Sequence, residues 1–254
     1  MTKRKFVISI VIFLFSLQYG FSQRARVANL QNYDNKKYHF GFILCLNKMY
    51  FSVEPASDIS DKVYTGIQIQ DLASDSARLY SVESNPTTGF TIGIVSNLRL
   101  GKYFDLRFIP SLAFGERELE YSVLNYYNNK SNIVGVTKKI TSTFVDFPLE
   151  IKFKSQRYNN TRAYVLSGMK YSIDLASQAH KKEENNQLEV KLLKNDFSFE
   201  FGVGFDFYTT YFKFGTELKM SYGLNNMLKY EDNIYTGGIA NLKSKVFLLS
   251  FTFE

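Results

Sequence analysis

The sequence is poor in residues that staple or chelate: among 254 residues there are one Cys, two His, no Trp and four Pro. A lone cysteine cannot form an intramolecular disulfide, and with two histidines it cannot complete a structural zinc site. Stability must therefore come from the backbone ladder and from packing. No apolar run reaches the roughly 20 residues of a membrane-spanning helix. The longest, Phe6 to Leu17, stops well short. A large basic excess is also missing, because the formal +7 falls to +4 once Lys3, Arg4 and Lys5 are set aside, and the remaining charges are mixed in sign. That balance excludes nucleic acid as a partner.

What is abundant is aromatic. Twenty-four Phe and 18 Tyr favour strands. The chain opens with cationic Lys3-Arg4-Lys5, the apolar run, and then small residues Gly20 and Ser22 before Gln23, the pattern of a secretory signal peptide cut after Ser22. No cysteine follows that site, so no lipid anchor is expected there. The division expected is an export segment over 1–22, a periplasmic lead over 23–37 and one domain over 38–254.

That domain alternates with period 2. From Asp196 to Phe207, Phe197, Phe199, Phe201, Val203, Phe205 and Phe207 take one face, while Asp196, Ser198, Glu200, Gly202, Gly204 and Asp206 take the other. One wholly apolar face backed by small and charged residues suits a strand between lipid and a polar lumen. Val145 to Lys154 and Phe212 to Tyr222 repeat the pattern, and weaker versions lie near 38–53, 88–100, 102–117, 162–176 and 243–254. The count is eight. Long and short connections take turns between them, and an even strand count with short periplasmic turns and long external loops is the parity of an outer-membrane barrel. The expected fold is therefore all-β, an eight-stranded antiparallel transmembrane barrel, located in the outer membrane.

An eight-stranded barrel is just wide enough to be filled by side chains. The lumen-facing charges are Asp105, Arg107, Asp146, Glu150, Lys152, Lys170, Asp174, Asp196, Glu200, Asp206, Lys213, Glu217 and Lys219. They either satisfy one another as a plug or line a proton or small-solute path. Pro110 and Pro148 fall inside strands and call for a bulge or strand end at each. Tyr103, Tyr208 and Tyr211 beside the short turns are placed in a periplasmic aromatic belt. The ending Phe251-Thr252-Phe253-Glu254 departs by one residue from a chain that stops on an aromatic.

Chemistry is sparse. Ser177 and His180, with Glu183 and Glu184, form the one combination that a lipid A acylhydrolase or acyltransferase could use at the external rim. The charged setting reads more simply as a solvated loop. His39 fits an interfacial hydrogen-bonder, and Cys45 faces inward as filling. Asp58, Asp61, Asp71 and Asp75 lack the spacing of a calcium loop. Gly202-Val203-Gly204 is strand patterning, not a phosphate loop. No catalytic residue, cofactor or metal is expected.

Particular residues add a resemblance. Tyr38-His39-Phe40-Gly41-Phe42 with Asn47, Leu98-Arg99-Leu100-Gly101, Leu106-Arg107-Phe108-Ile109-Pro110, Phe147-Pro148-Leu149-Glu150-Ile151-Lys152, Asn160 with Arg162, Tyr171 to Ala176, and Phe212-Lys213-Phe214 with Glu217-Leu218 and Ser221-Tyr222-Gly223 together resemble the PorT (SprT-like) family. These are outer-membrane barrels of the type IX secretion system of Bacteroidetes. The resemblance implies a non-enzymatic accessory or assembly role in protein secretion, and with it gliding motility, and not the translocation pore. It implies partners among other secretion components and in outer-membrane lipid or lipopolysaccharide. A structural barrel of the OmpA sort and a lipid A-modifying or lipid A-binding barrel stay open beside it. Tyr126 and Tyr127, with the first long loop, are the expected external contacts.

Overall fold

A computed structural model describes residues 28–65, 68–69, 72–176, 190–231 and 233–254. Its strands are β1 (Tyr38–Pro55), β2 (Tyr64–Thr65), β3 (Gln68–Ile69), β4 (Leu72–Ala73), β5 (Ser76–Asn85), β6 (Thr87–Arg99), β7 (Phe104–Phe108), β8 (Ser111–Tyr127), β9 (Lys130–Lys154), β10 (Thr161–Asp174), β11 (Asn195–Tyr208), β12 (Lys213–Gly223) and β13 (Ile239–Phe253). β7 and β8 keep one register against β6 and against β9, so they act as one barrel strand. The ring then has eight members. It closes where β1 pairs with β13 on one side and β6 on the other, all antiparallel.

The pleat makes the barrel amphipathic. β11 alternates strictly between exposed and buried residues, with its phenylalanines outward and Asp196, Ser198, Glu200 and Asp206 inward. Outward rings stack along the strand seams, as in Phe42 on Phe253 at 4.8 Å and Phe90 on Phe114 at 4.9 Å. Lipid covers this face, and the closed ladder leaves no edge within the wall.

The two prolines share one interruption. Ile94 N donates to Pro110 O at 3.0 Å, and Ile109 N donates to Pro148 O at 3.3 Å. Each bond belongs to an antiparallel pair that normally exchanges two. Pro110 and Pro148 remove the returning bonds, on opposite sides of the same strand, and Ile109-Pro110 falls between β7 and β8. The expected strand end occurs at Pro110. Pro148 instead stays inside β9, with its missing N–H directed at Ile109, the residue just before the break at Pro110.

The strands run further outward than their alternation suggested. β8 continues to Tyr127 and returns as β9 through Asn128-Asn129, both with positive φ (51° and 58°), a two-residue turn whose twist matches the strands it joins. Tyr126 and Tyr127 therefore sit at a hairpin tip and not within a long loop. The first long connection likewise carries β5, paired along β8 from Ser76↔Tyr126 to Asn85↔Glu118. Above the membrane these strands enclose an apolar core of Phe51, Leu79, Leu119, Tyr121, Met227 and Tyr235 with their neighbours. A short helix, α1 (Ile234–Gly237), lies in it, capped by Asn233 Oδ1, which accepts from Tyr235 N and Thr236 N at 3.0 and 2.9 Å. Sequence alternation misses this core because its strands leave the lipid and no longer need an apolar outer face.

Candidate functional site

The lumen has two unlike walls. Ile43, Cys45, Met49, Val95, Ile109, Ala113, Phe144, Val246 and Leu248 pack as one apolar inner cluster. Facing it, β7 and β9 to β12 turn their charges inward, and these pair. Arg107 Nη1 reaches Glu217 Oε1 at 2.7 Å and Glu150 Oε2 at 3.8 Å, and Lys219 reaches Glu150 at 3.1 Å and Glu217 at 3.9 Å. Lys152 holds Asp206 at 2.8 Å, and Lys170 holds Glu200 at 3.0 Å and Asp146 at 3.6 Å. Asp105 takes Lys154 at 2.7 Å, and Lys213 takes Glu254 at 2.9 Å. The glycines among them make room. A Cβ on Gly204 would come within 2.5 Å of the Tyr164 ring, whose hydroxyl donates to Glu217 at 2.8 Å.

Eleven of the thirteen charges read from the sequence join this network, and two do not. Asp174 accepts the backbone N–H groups of Ala176 at 2.9 Å and Thr143 at 3.3 Å, which turns it into a loop cap. Asp196 lies higher, beside a cavity of about 10 Å³ that it lines with Arg117, Asp146, Lys170 and the serines of the neighbouring strands. That is room for about one water molecule among polar groups. Both residues sit at the outer ends of β10 and β11.

Arg117 was missed. It is buried between the rings of Phe51 (4.8 Å) and Phe144 (4.7 Å), where cation–π contact replaces a direct carboxylate. Its inward parity on β8 was available in the sequence, but β8 reads as a strand only as far as this residue. Lys154, already on the polar face of the Val145–Lys154 alternation, and Glu254, both at strand ends, were not counted among the lumen charges.

The periplasmic mouth is closed by the chain's own lead. A single 3₁₀ turn, Tyr33–Asn35, folds back beneath the network. Asp34 accepts both Arg162 guanidinium nitrogens at 3.1 and 3.0 Å and the Tyr208 hydroxyl at 2.9 Å, and its carbonyl accepts from Arg99. Tyr33 stacks on His39 at 4.1 Å and donates to Glu254 at 3.3 Å, while His39 Nε2 lies 2.7 Å from the Tyr33 carbonyl. Asn29 is held by Asn160 and by the Tyr208 carbonyl. Tyr208 is thus buried and inward, not part of an aromatic belt, because it falls on the inward parity of β11. Tyr211 stays exposed, and Tyr103 lies half-buried against Phe153.

This closure depends on Asp34 being ionised. Burial raises its carboxyl, but the Arg162 guanidinium and the Tyr208 hydroxyl more than offset that and hold it below its ordinary value. A carboxyl depressed in the folded state contributes fully above its unfolded value near about 4, and the contribution fades as pH falls below that. Amide exchange in Asn32–Lys37, normalised to intrinsic rates, should therefore be slow at neutral pH and rise at about pH 3 relative to the barrel strands. Asp34→Asn should bring the same loosening to neutral pH, on the order of 1–2 kcal/mol for the lost charged hydrogen bonds.

Between the mouth turn and the outer core lie the ion pairs and the apolar inner cluster. The profile of the family described as "Outer membrane protein beta-barrel domain" matches residues 21–229. The chain belongs to the outer-membrane β-barrel family. Among solved structures, the outer membrane protein OprG from Pseudomonas aeruginosa aligns over 84% of this chain and 95% of its own, at 10% identity and a TM-score of 0.34. No curated protein matches the chain. The family places this barrel in the outer membrane, and the short-turn side of such barrels faces the periplasm, which sets the β8–β9 hairpin outside.

Of the other residues singled out, Ser177, His180, Glu183 and Glu184 lie outside the described residues, as do residues 1–22 and Asp71. Asp58 pairs with Lys62 at 3.1 Å, and Asp75 accepts the Asn128 backbone N–H at 3.0 Å. Cys45 is buried, facing inward.

Proposed function

We propose that this outer-membrane barrel is a non-enzymatic accessory or assembly component of protein secretion by the type IX system, working through its surfaces and not as a conduit. One observation carries the reading: the lumen is filled by ion pairs, capped outside by an apolar core and closed inside by the Tyr33–Asn35 turn. A barrel of this bore cannot pass a folded protein even when empty. What remains for function is the external hairpin, the wall and the periplasmic turns. The resemblance to PorT-type barrels supports secretion as the process, and Tyr126 and Tyr127 at the hairpin tip are the exposed contacts nearest to a partner outside the cell.

Deleting the gene in its host tests this. Loss of secreted cargo, with cargo retained in the periplasm and other barrels at normal abundance, is the expected result. Unchanged secretion would sink the secretion role and leave a structural barrel. A lipid A-modifying activity would instead show as altered lipid A on deletion, with His180→Ala reproducing it.

A further inference from the structure

The outward wall of β1, β13 and β12 changes character partway up. Even residues of β1 and odd residues of β13 face outward, and from the periplasmic end they read as apolar through Leu46 and Phe247. Then come Lys48 on β1 and Lys245 and Lys243 on β13. The register sets Lys48 beside Phe247, Tyr50 beside Lys245 and Ser52 beside Lys243, so the three ammonium groups are near neighbours on one face. Ten residues separate Tyr38 from Lys48, a rise of about 25 Å for a tilted strand, which is the height of the apolar band. The lysines therefore stand at the external boundary of the membrane.

Among the described residues they are cations without anions. Lys243 and Lys245 lie 5.9 and 5.2 Å from the centre of the Tyr222 ring, and no carboxylate among the described residues lies within 4.0 Å of any of the three. Glu54, diagonal to Lys243, is held by Asn241 at 3.2 Å. Two strands away, β8 turns acidic with Glu116, Glu118 and Glu120, of which Glu118 takes Lys139 at 3.0 Å. Beneath Lys48 the wall opens into an almost wholly apolar groove of about 510 Å³, lined by Leu46, Phe201, Val203, Leu218, Met220 and Leu249 among others.

We propose that this wall is a binding site for a phosphorylated glycolipid of the outer leaflet, with phosphates on Lys48, Lys243 and Lys245 and an acyl chain in the groove below. The vertical order decides the occupant. Clustered like charges at this height call for an anion, and lipid headgroup phosphates are the anions that basic clusters bind at a membrane boundary. A free phosphate would leave the groove unused. An inner-leaflet phospholipid would meet its cations at the opposite boundary.

The test uses the full-length barrel in detergent, with bisphosphorylated lipid A in mixed micelles as the probe. The triple variant K48Q/K243Q/K245Q should bind at least about tenfold more weakly than the native protein, the change expected from losing roughly 1.4 kcal/mol. Dephosphorylated lipid A should bind the native protein as weakly, and Val203→Trp, which fills the groove, should also weaken binding. Each variant should keep the heat-modifiable gel mobility of a folded barrel. Undiminished binding by the triple variant would overturn the site. So would equal loss in the control K37Q/K102Q/K130Q, equal binding of phosphatidylglycerol, or full competition by millimolar inorganic phosphate.

Discussion

Replacing Arg107 with leucine is expected to cost this barrel about 3–5 kcal/mol, the penalty for leaving buried charge unpaired. Arg107 is fully buried, and its guanidinium is 2.7 Å from Glu217 and 3.8 Å from Glu150, both also fully buried. Lys219 alone would then face two carboxylates, at 3.1 and 3.9 Å. The Coulomb attraction of the pairs does not make the network a large source of net stability, because each ion was taken from water to enter it. The loss arises from breaking it on one side. Urea titration followed by heat-modifiable mobility in detergent measures the difference. The double replacement R107L/E217Q should recover much of it, since Lys219 and Glu150, 3.1 Å apart, then balance each other. A single variant within about 1 kcal/mol of the native protein would mean that the three groups are not held in one dry cluster.

The network also shows what alternation can and cannot reveal. Strict period 2 over Asp196–Phe207 was enough to assign the inward residues of β11 from Asp196 to Asp206, though not Tyr208 just past it, and the same holds for Glu150 and Lys152 on β9 and for Glu217 and Lys219 on β12. These stretches lie within the lipid, where the outer face must be apolar, so the pattern has contrast. Contrast fades where the strand leaves the lipid. β8 beyond Arg117, the outer half of β9 and all of β5 present polar residues outside and a soluble-type core inside, so the period persists without a greasy face to mark it. Pairing partners are a different matter. That Lys152 would choose Asp206, or Lys170 choose Glu200, depends on the stagger of the strands around the barrel, which no single strand encodes. The mouth turn was the least legible part, because Asn29 to Asn35 carries no periodicity at all and its side chains are fixed largely by groups more than a hundred residues away.

Glu254 is the second place where one side chain should matter greatly. Its backbone continues the ladder past Phe253, exchanging both bonds with Lys213 at 2.8 and 2.9 Å. Phe253 faces lipid, so the next residue faces in, and the parity that makes a terminal aromatic useful to the wall makes a following glutamate useful to the lumen. There its carboxylate meets the Lys213 ammonium at 2.9 Å and accepts the Tyr33 hydroxyl at 3.3 Å. It joins the last strand, the start of β12 and the mouth turn. Glu254→Ala should cost about 3 kcal/mol, at the low end for a buried pair broken on one side. Proteolysis and amide exchange should rise at Asn29–Lys37 while the outer core around Leu119 and Tyr121 stays protected. Because Asp34 and Glu254 grip the same turn, their effects should not add. Once Asp34→Asn has released it, Glu254→Ala should loosen it little further, and a double-mutant cycle should return a coupling of about 0.5–3 kcal/mol. Simple additivity would show that the turn is held at two independent points, and the closed mouth would then be two local contacts and not one cooperative latch.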